Sequence, residues 1–167
     1  HGIPGMPRGK CNLYDAGCEV ALAARWPGHI TPKRQVDDMV NIMDLAPTFL
    51  EAAGVKSPEC MSARSLLDVL ESPESGQVDP DRTFVVTGRE RHCKNAREGN
   101  LPYPTRAIRT RDFLYIRNYA PDRWPAGDPK GLDDPRAEAP PFETLQWDTF
   151  VTYQDCDASP TKAWMIH

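Results

Sequence analysis

The sequence predicts an α/β fold in two parts: a buried strand followed by two helices within residues 1–75, and a small antiparallel sheet with a long irregular excursion within 80–167. Three observations carry this. A nearly unbroken apolar run, "CEVALAARW", reads as a strand of a sheet covered on both faces. Two helical patterns follow it. From residue 82 the period changes, and "RTFVVTG" and "TRAIRTRDFLYIRNY" run β-branched and aromatic, with "TRD" as a hairpin turn.

Taken in order, the apolar run places Val20, Leu22 and Ala24 on one side of a buried strand. "WPGHITPKRQVDD" then reads as a turn and surface loop. In "NIMDLAPTFLEAAGV", Asp44 is placed to cap a helix and Pro47 sits in its first turn, where a missing N–H does no harm. Phe49, Leu50 and Ala53 form its apolar stripe, and Gly54 is placed to end it. "ARSLLDVLES" predicts a shorter helix that buries Leu66, Leu67, Val69 and Leu70. The polar, Pro- and Gly-bearing "ESPESGQVDPD" marks the boundary before the sheet. Ala120 to Phe142 is too rich in Pro, Gly and Asp for regular structure, and a loop of that length is usually functional or wraps a neighbour. "TKAWMI" reads as a short final helix.

Composition removes several classes of function. A formal charge of −4, with Lys and Arg spread along the chain, argues against a nucleic-acid or membrane-surface protein. No window approaches the ~18 apolar residues needed to span a bilayer. The five Cys are an odd number at irregular spacings without a C-x-x-C, which suggests neither a disulfide framework nor a zinc site. Cys11 and Cys18 pair only if the intervening loop folds back; otherwise each serves as a small hydrophobe.

The opening stretch, "HGIPGMPRGKCNLYDAGCEVALAARWPG", sets His1, Arg8 and Lys10 on a Gly/Pro framework that lets a compact anion approach closely. Alone, such basic residues before a strand are more often solvated charges. The chain begins in the middle of what reads as an active-site loop, so a longer polypeptide is expected.

"HG", "GK", "LYDAG" and "ARWPG" stand in an order and spacing that resemble the sulfatase family, of the alkaline phosphatase-like superfamily. "VNIMDLAPTFLEAAGV" and "ARSLLDVL" continue the likeness over most of residues 1–70. "TGRERH", "YPTRAIRTRDFLYIRNYAPDRWPAGDP" and "DCDASPTKAWMI" are similar to a bacterial branch related to heparan N-sulfatase. The resemblance implies the C-terminal portion of a sulfuric ester hydrolase acting on sulfate esters or sulfamates, on a sulfated sugar or aryl sulfate, with residues 1–75 as the end of its large catalytic α/β domain and 80–167 as a smaller, incomplete C-terminal α+β domain with an antiparallel sheet. It also implies a divalent cation, Ca²⁺ or Mg²⁺, and a formylglycine nucleophile made from a Cys or Ser outside this chain.

By the same resemblance, His1 stands where the family has a metal ligand, and Lys10 where a cation holds the substrate's sulfate. A metal and a fixed ammonium group suit a transition state that shifts charge toward the leaving oxygen. Ca²⁺ prefers oxygen ligands; without the family's carboxylates, weak or no metal binding and no activity are expected of the fragment alone. "CMSAR" at Cys60–Arg64 imitates the nucleophile motif, but Ser62 replaces its Pro or Ala.

Arg89, Arg91 and His92 in "GRERH" are candidates for binding the carboxylates or hydroxyls of a sulfated sugar. The plainer alternative is a strand end with internal Arg–Glu pairs. Trp124, flanked by Pro, reads as a loop anchor rather than a sugar-stacking face. Asp155 and Asp157 read as an Asp-rich turn capping a helix rather than a metal pair.

The remainder of the sulfatase polypeptide is the expected partner, and the family suggests a periplasmic or extracellular setting. Two further readings stand beside this one: a non-catalytic structural or glycan-binding module, and a phosphoester or phosphonate hydrolase of the same superfamily. An unpaired strand edge at 18–26 predicts that the isolated chain associates through it. A monodisperse monomer by light scattering would contradict that expectation.

Overall fold

The computed structural model describes residues 2–167, so His1 lies outside the described residues. In chain order the elements are α1 (Asp15–Cys18), a 3₁₀ turn at Ile42–Asp44 that runs into α2 (Leu45–Ala52), and α3 (Leu67–Glu71). Then come β1 (Phe84–Arg89), a 3₁₀ turn at Glu98–Asn100, β2 (Thr105–Thr110), β3 (Leu114–Asn118), α4 (Phe142–Trp147) and α5 (Pro160–Ile166). The strands form one antiparallel sheet in the order β1-β2-β3.

The chain gathers into two compact units. One holds the described residues up to Val20 with Thr87–Ala107 and Leu114–His167; the other holds Ala21–Val86 with Ile108–Phe113. The opening loop therefore shares a unit with the C-terminal helices.

In the unit built on Ala21–Val86, Asn41 opens the helical segment. Its side chain accepts from the Met43 N–H, and Asp44 reaches back to the Asn41 N–H, a reciprocal capping box. Asp44 thus does its capping at the 3₁₀ turn and gives α2 itself no side-chain cap. Thr48 Oγ1 donates to the Asp44 carbonyl at 2.6 Å and accepts from the Leu66 N–H at 2.8 Å, which ties α2 to the residue that leads into α3. Asp44 also accepts from Arg82 Nη1 at 2.9 Å, and these side chains are only 9% and 4% exposed. Arg82 donates further to the Ser65 carbonyl at 2.7 Å. This small unit closes around a buried ion pair together with Leu66 and Val69.

Two expectations fail here. The run at 18–26 forms no strand: beyond α1 it is irregular, with Val20 39% and Leu22 54% exposed. A strand's backbone groups need a neighbour, and no strand pairs with this run among the described residues. On α2 the buried side chains are Pro47 and Thr48, while Phe49 is 67% exposed, so the expected apolar stripe is not a core face. Of the four positions expected to be buried around α3, Leu66 and Val69 are, while Leu67 and Leu70 are half-buried; the hairpin turn and the final helix lie where the sequence puts them.

The other unit packs α4 against α5, with Leu145 and Ala163 fully buried between irregular segments. Ser159 caps α5 by accepting from the Lys162 N–H at 3.0 Å. Helix α4 has no counterpart among the sequence expectations, because "FETLQW" is short and follows a Pro-rich loop.

Asp44→Ala should leave the buried Arg82 with only the more exposed Asp79, 3.4 Å from its Nε, and lower the unfolding free energy by about 3 kcal/mol. Urea unfolding measures this; a midpoint like the parent's would show that Asp79 and the carbonyl partners suffice to hold Arg82.

Candidate functional site

Lys10 sits in a loop whose tightness depends on glycine. A Cβ on Gly9 would lie 2.2 Å from the Ile3 carbonyl oxygen, and one on Gly17 would lie 2.2 Å from that of Asn12. On either side of Lys10, Arg8 (φ 64°) and Cys11 (φ 69°) occupy the left-handed region that non-glycine residues rarely adopt. The loop is pinned by the Ile3 N–H to the Ala16 carbonyl at 2.8 Å and the Lys10 N–H to the Ile3 carbonyl at 2.7 Å. Strained backbone held this firmly is characteristic of sites where a side chain must be placed.

The ammonium of Lys10 donates to Asp157 Oδ2 at 2.9 Å, with the two side chains 31% and 23% exposed. The hydrogen bond to Asp157, with its charge, holds Lys10 above its ordinary value against the opposing effect of burial. The Asp-rich turn therefore does not cap α5, which Ser159 does; Asp157 answers Lys10 and Asp155 answers Arg97.

Asp155 is 2% exposed. Its Oδ2 accepts from Arg97 Nη2 at 2.6 Å and its Oδ1 from the Cys93 N–H at 3.4 Å. Arg97 also donates to the Trp124 carbonyl from Nε at 2.9 Å, which anchors that loop as the sequence suggests. The Trp124 ring meets Tyr153 edge-on at 6.4 Å.

His92, just beyond β1, has its Nδ1 3.8 Å from Asp155 Oδ1 and 3.4 Å from the Cys93 thiol. Burial lowers its pKa below the ordinary 6.5, against the pull of Asp155 and Asp157. At neutral pH the ring is uncharged, so its contact with Asp155 is dipolar and not an ion pair. Lys10 and Arg89 add to the lowering, which places His92 within the field of the Lys10 loop.

Arg89 donates from Nη1 to the Cys11 carbonyl at 2.7 Å. Arg91 is exposed, and the structure does not bring it to Lys10 or His92. Glu90 pairs with Arg106 of β2, a partner outside "GRERH" and not the internal Arg–Glu pair of the plainer reading. Cys11, Cys18, Cys60, Cys93 and Cys156 are all free thiols, and burial raises Cys11 and Cys93, so neither is a thiolate at neutral pH.

One group of potential metal ligands stands among the described residues: His92, Cys93 and Asp155, with ligand atoms within 4.8 Å of one another. It offers one nitrogen, one sulfur and a carboxylate already engaged by Arg97. That set does not fit Ca²⁺ or Mg²⁺, which take oxygens. His1, the ligand implied by resemblance, lies outside the described residues.

Sequence reasoning missed Arg97 and Cys93 and misread both acids. Arg97 stands 58 residues from Asp155 and Lys10 stands 147 from Asp157, and no local pattern marks partners so remote.

The chain is similar in sequence to several known proteins. The family model described as N-sulphoglucosamine sulphohydrolase, C-terminal, matches residues 9–135. An ulvan-active sulfatase of Formosa agariphila is 34% identical over 119 residues, covering 71% of this chain and 22% of that protein. Arylsulfatase K of Xenopus laevis is 34% identical over 71 residues, covering 42% of this chain and 13% of that protein. A solved structure described as a complex with its substrate, D-glucosamine-2-N,6-O-disulfate, aligns at 28% identity with a TM-score of 0.49, covering 58% of this chain and 19% of that one. This chain thus spans less than a quarter of each of these proteins. No helix among the described residues is long and apolar enough to cross a membrane.

Asp157 helps keep His92 protonatable, so Asp157→Asn should move the His92 titration midpoint further down. NMR of the ring protons follows it; an unmoved or raised midpoint would break the electrostatic link between the two.

Proposed function

This chain belongs to the N-sulphoglucosamine sulphohydrolase C-terminal family, and we propose on that footing that the whole protein hydrolyses sulfate esters or sulfamates on a sulfated glycan. The supporting observation is the Lys10 loop: a charged ammonium on a strained, glycine-dependent turn, with neutral His92 in its electrostatic field. In this reading Lys10 binds a sulfate oxygen. It is suited to that as a compact point charge that stays protonated across the physiological range.

The incoming sulfate exchanges with Asp157 for the ammonium. The Lys10–Asp157 pair is partly exposed, and such pairs are weak, about 0–1 kcal/mol, so the exchange costs little. His92, uncharged at neutral pH, can hydrogen-bond a sugar hydroxyl without adding a competing charge.

Formylglycine supplies the nucleophile and a divalent cation, Ca²⁺ or Mg²⁺, supplies charge neutralisation when bound. His1 is the residue of this chain assigned to the cation by resemblance. The described residues do not themselves fit such an ion, and the chain's own contribution is sulfate binding and sugar orientation.

In the full-length protein, Lys10→Ala should lower kcat/KM on a sulfated glucosamine by about 10²-fold or more, the scale of one lost electrostatic contact to the transition state. Lys10→Arg should recover part of it. Steady-state desulfation rates decide this, with a phosphate monoester run alongside. Unchanged kcat/KM in Lys10→Ala, or a preference for the phosphoester, would overturn the reading.

A further inference from the structure

A partly open cavity of about 160 Å³ lies within the unit that holds the Lys10 loop. Arg89, Tyr103, Thr105, Asn12 and Asn118 line it, with buried Leu13 on its apolar side. Its charge is out of balance.

Tyr103, 4% exposed, carries the Arg97 guanidinium 5.0 Å and the Arg89 guanidinium 5.7 Å from its ring centroid. Arg97 has its counter-ion in Asp155 at 2.6 Å. Arg89 has none: its partner is the neutral Cys11 carbonyl, its Nε is buried with no hydrogen-bond partner among the described residues, and no carboxylate stands within ion-pair distance of it there. Arg89 is half-buried, and charges withdrawn from water are ordinarily paired. Burial, followed by the repulsion of Arg97, holds the Arg89 pKa below the usual guanidinium value despite the distant pull of Asp155.

The other polar groups on the wall lean the same way. Asn118 Oδ1 accepts from Thr105 Oγ1 at 3.3 Å, which leaves the Asn118 amide NH₂ as a donor. The Asn12 amide reaches the Lys10 carbonyl only at 3.5 Å, at the limit of a hydrogen bond, and is available to a better acceptor. A cavity walled by an unpaired cation, amide donors and an aromatic ring is built to receive an acceptor-only group of negative charge.

We propose that this cavity binds a compact oxyanion, a carboxylate or a sulfate group carried on a larger molecule, with Arg89 as its charge partner and the Asn118 amide as a second donor. It is a site separate from the one assigned to Lys10. Its size admits one such group with the atoms that bear it, so it reads a substituent and not a whole oligosaccharide.

The test is equilibrium dialysis of the full chain against radiolabelled sulfate and, separately, radiolabelled acetate, at fixed ionic strength. Arg89→Gln, Asn118→Ala and Lys10→Gln are compared with the parent, and circular dichroism confirms each fold. Arg89→Gln and Asn118→Ala should each weaken one saturable site by about tenfold or more, the scale of one lost charge-assisted hydrogen bond. Lys10→Gln should leave that site intact. Asn118 lies at an exposed strand position, so its variant carries the test if Arg89→Gln does not fold.

Binding of acetate at this site would identify a carboxylate as the ligand group, and binding of sulfate a sulfate group; either supports the proposal. No saturable binding of either anion, binding equal to the parent's in folded Asn118→Ala, or a single site abolished by Lys10→Gln would overturn it. Because the Lys10 and Arg89 variants are read separately, loss of this site would leave the Lys10 assignment standing, and the reverse holds as well.

Discussion

The buried pair between Arg97 and Asp155 governs the candidate site. Both side chains are 1% exposed, and their 2.6 Å contact joins a turn that follows β1 to the loop that precedes α5. Neither segment has regular structure to hold it. Irregular backbone leaves polar groups that must find partners, and here ions supply them: Arg97 takes the Trp124 carbonyl, and Lys162 Nζ takes those of Thr152 at 2.6 Å and Cys156 at 3.0 Å. The positions of Asp157 and His92 follow from this clamp, since each lies within two residues of a group it fixes.

The cations of this unit form a graded series. Arg97 is locked, with a buried carboxylate and carbonyls. Lys162 is caged by carbonyls alone, and burial lowers its pKa. Lys10 is paired with Asp157 but about a third exposed, so water and solutes compete for it. Arg89 is the least compensated, with one carbonyl. Structural and ligand-directed charges are thereby separated by how many protein groups enclose them and by how far solvent reaches them: Arg97 and Lys162 are enclosed, whereas Lys10 and Arg89 border open space.

Local patterns were legible in the sequence, and remote pairings were not. The "TRD" turn, Gly54 after α2 (φ 70°), the buried Leu66 and Val69, and the last helix are all set by residues within a few positions of one another. The run at 18–26 misled because an apolar composition states that a segment should be covered without stating by what. Phe49 misled for the same reason. The motif likeness singles out Lys10 and His92 as candidates, since those stand in short strings. Their acidic partners were visible only as "DCDAS", whose reading as a helix cap was a sound local inference that Ser159 made redundant.

On the proposed reading, Asp157 has a use beyond neutralising Lys10. An unpaired ammonium on a strained loop would swing toward solvent, and recovering one geometry on binding would cost side-chain entropy. The carboxylate holds the ammonium charged and in place until an anion arrives. Because the pair is partly exposed, displacing Asp157 returns that carboxylate to water with little penalty, whereas displacing Asp155 would strand a buried guanidinium. The same chemical pairing thus serves opposite ends two residues apart, and solvent access alone decides which one yields.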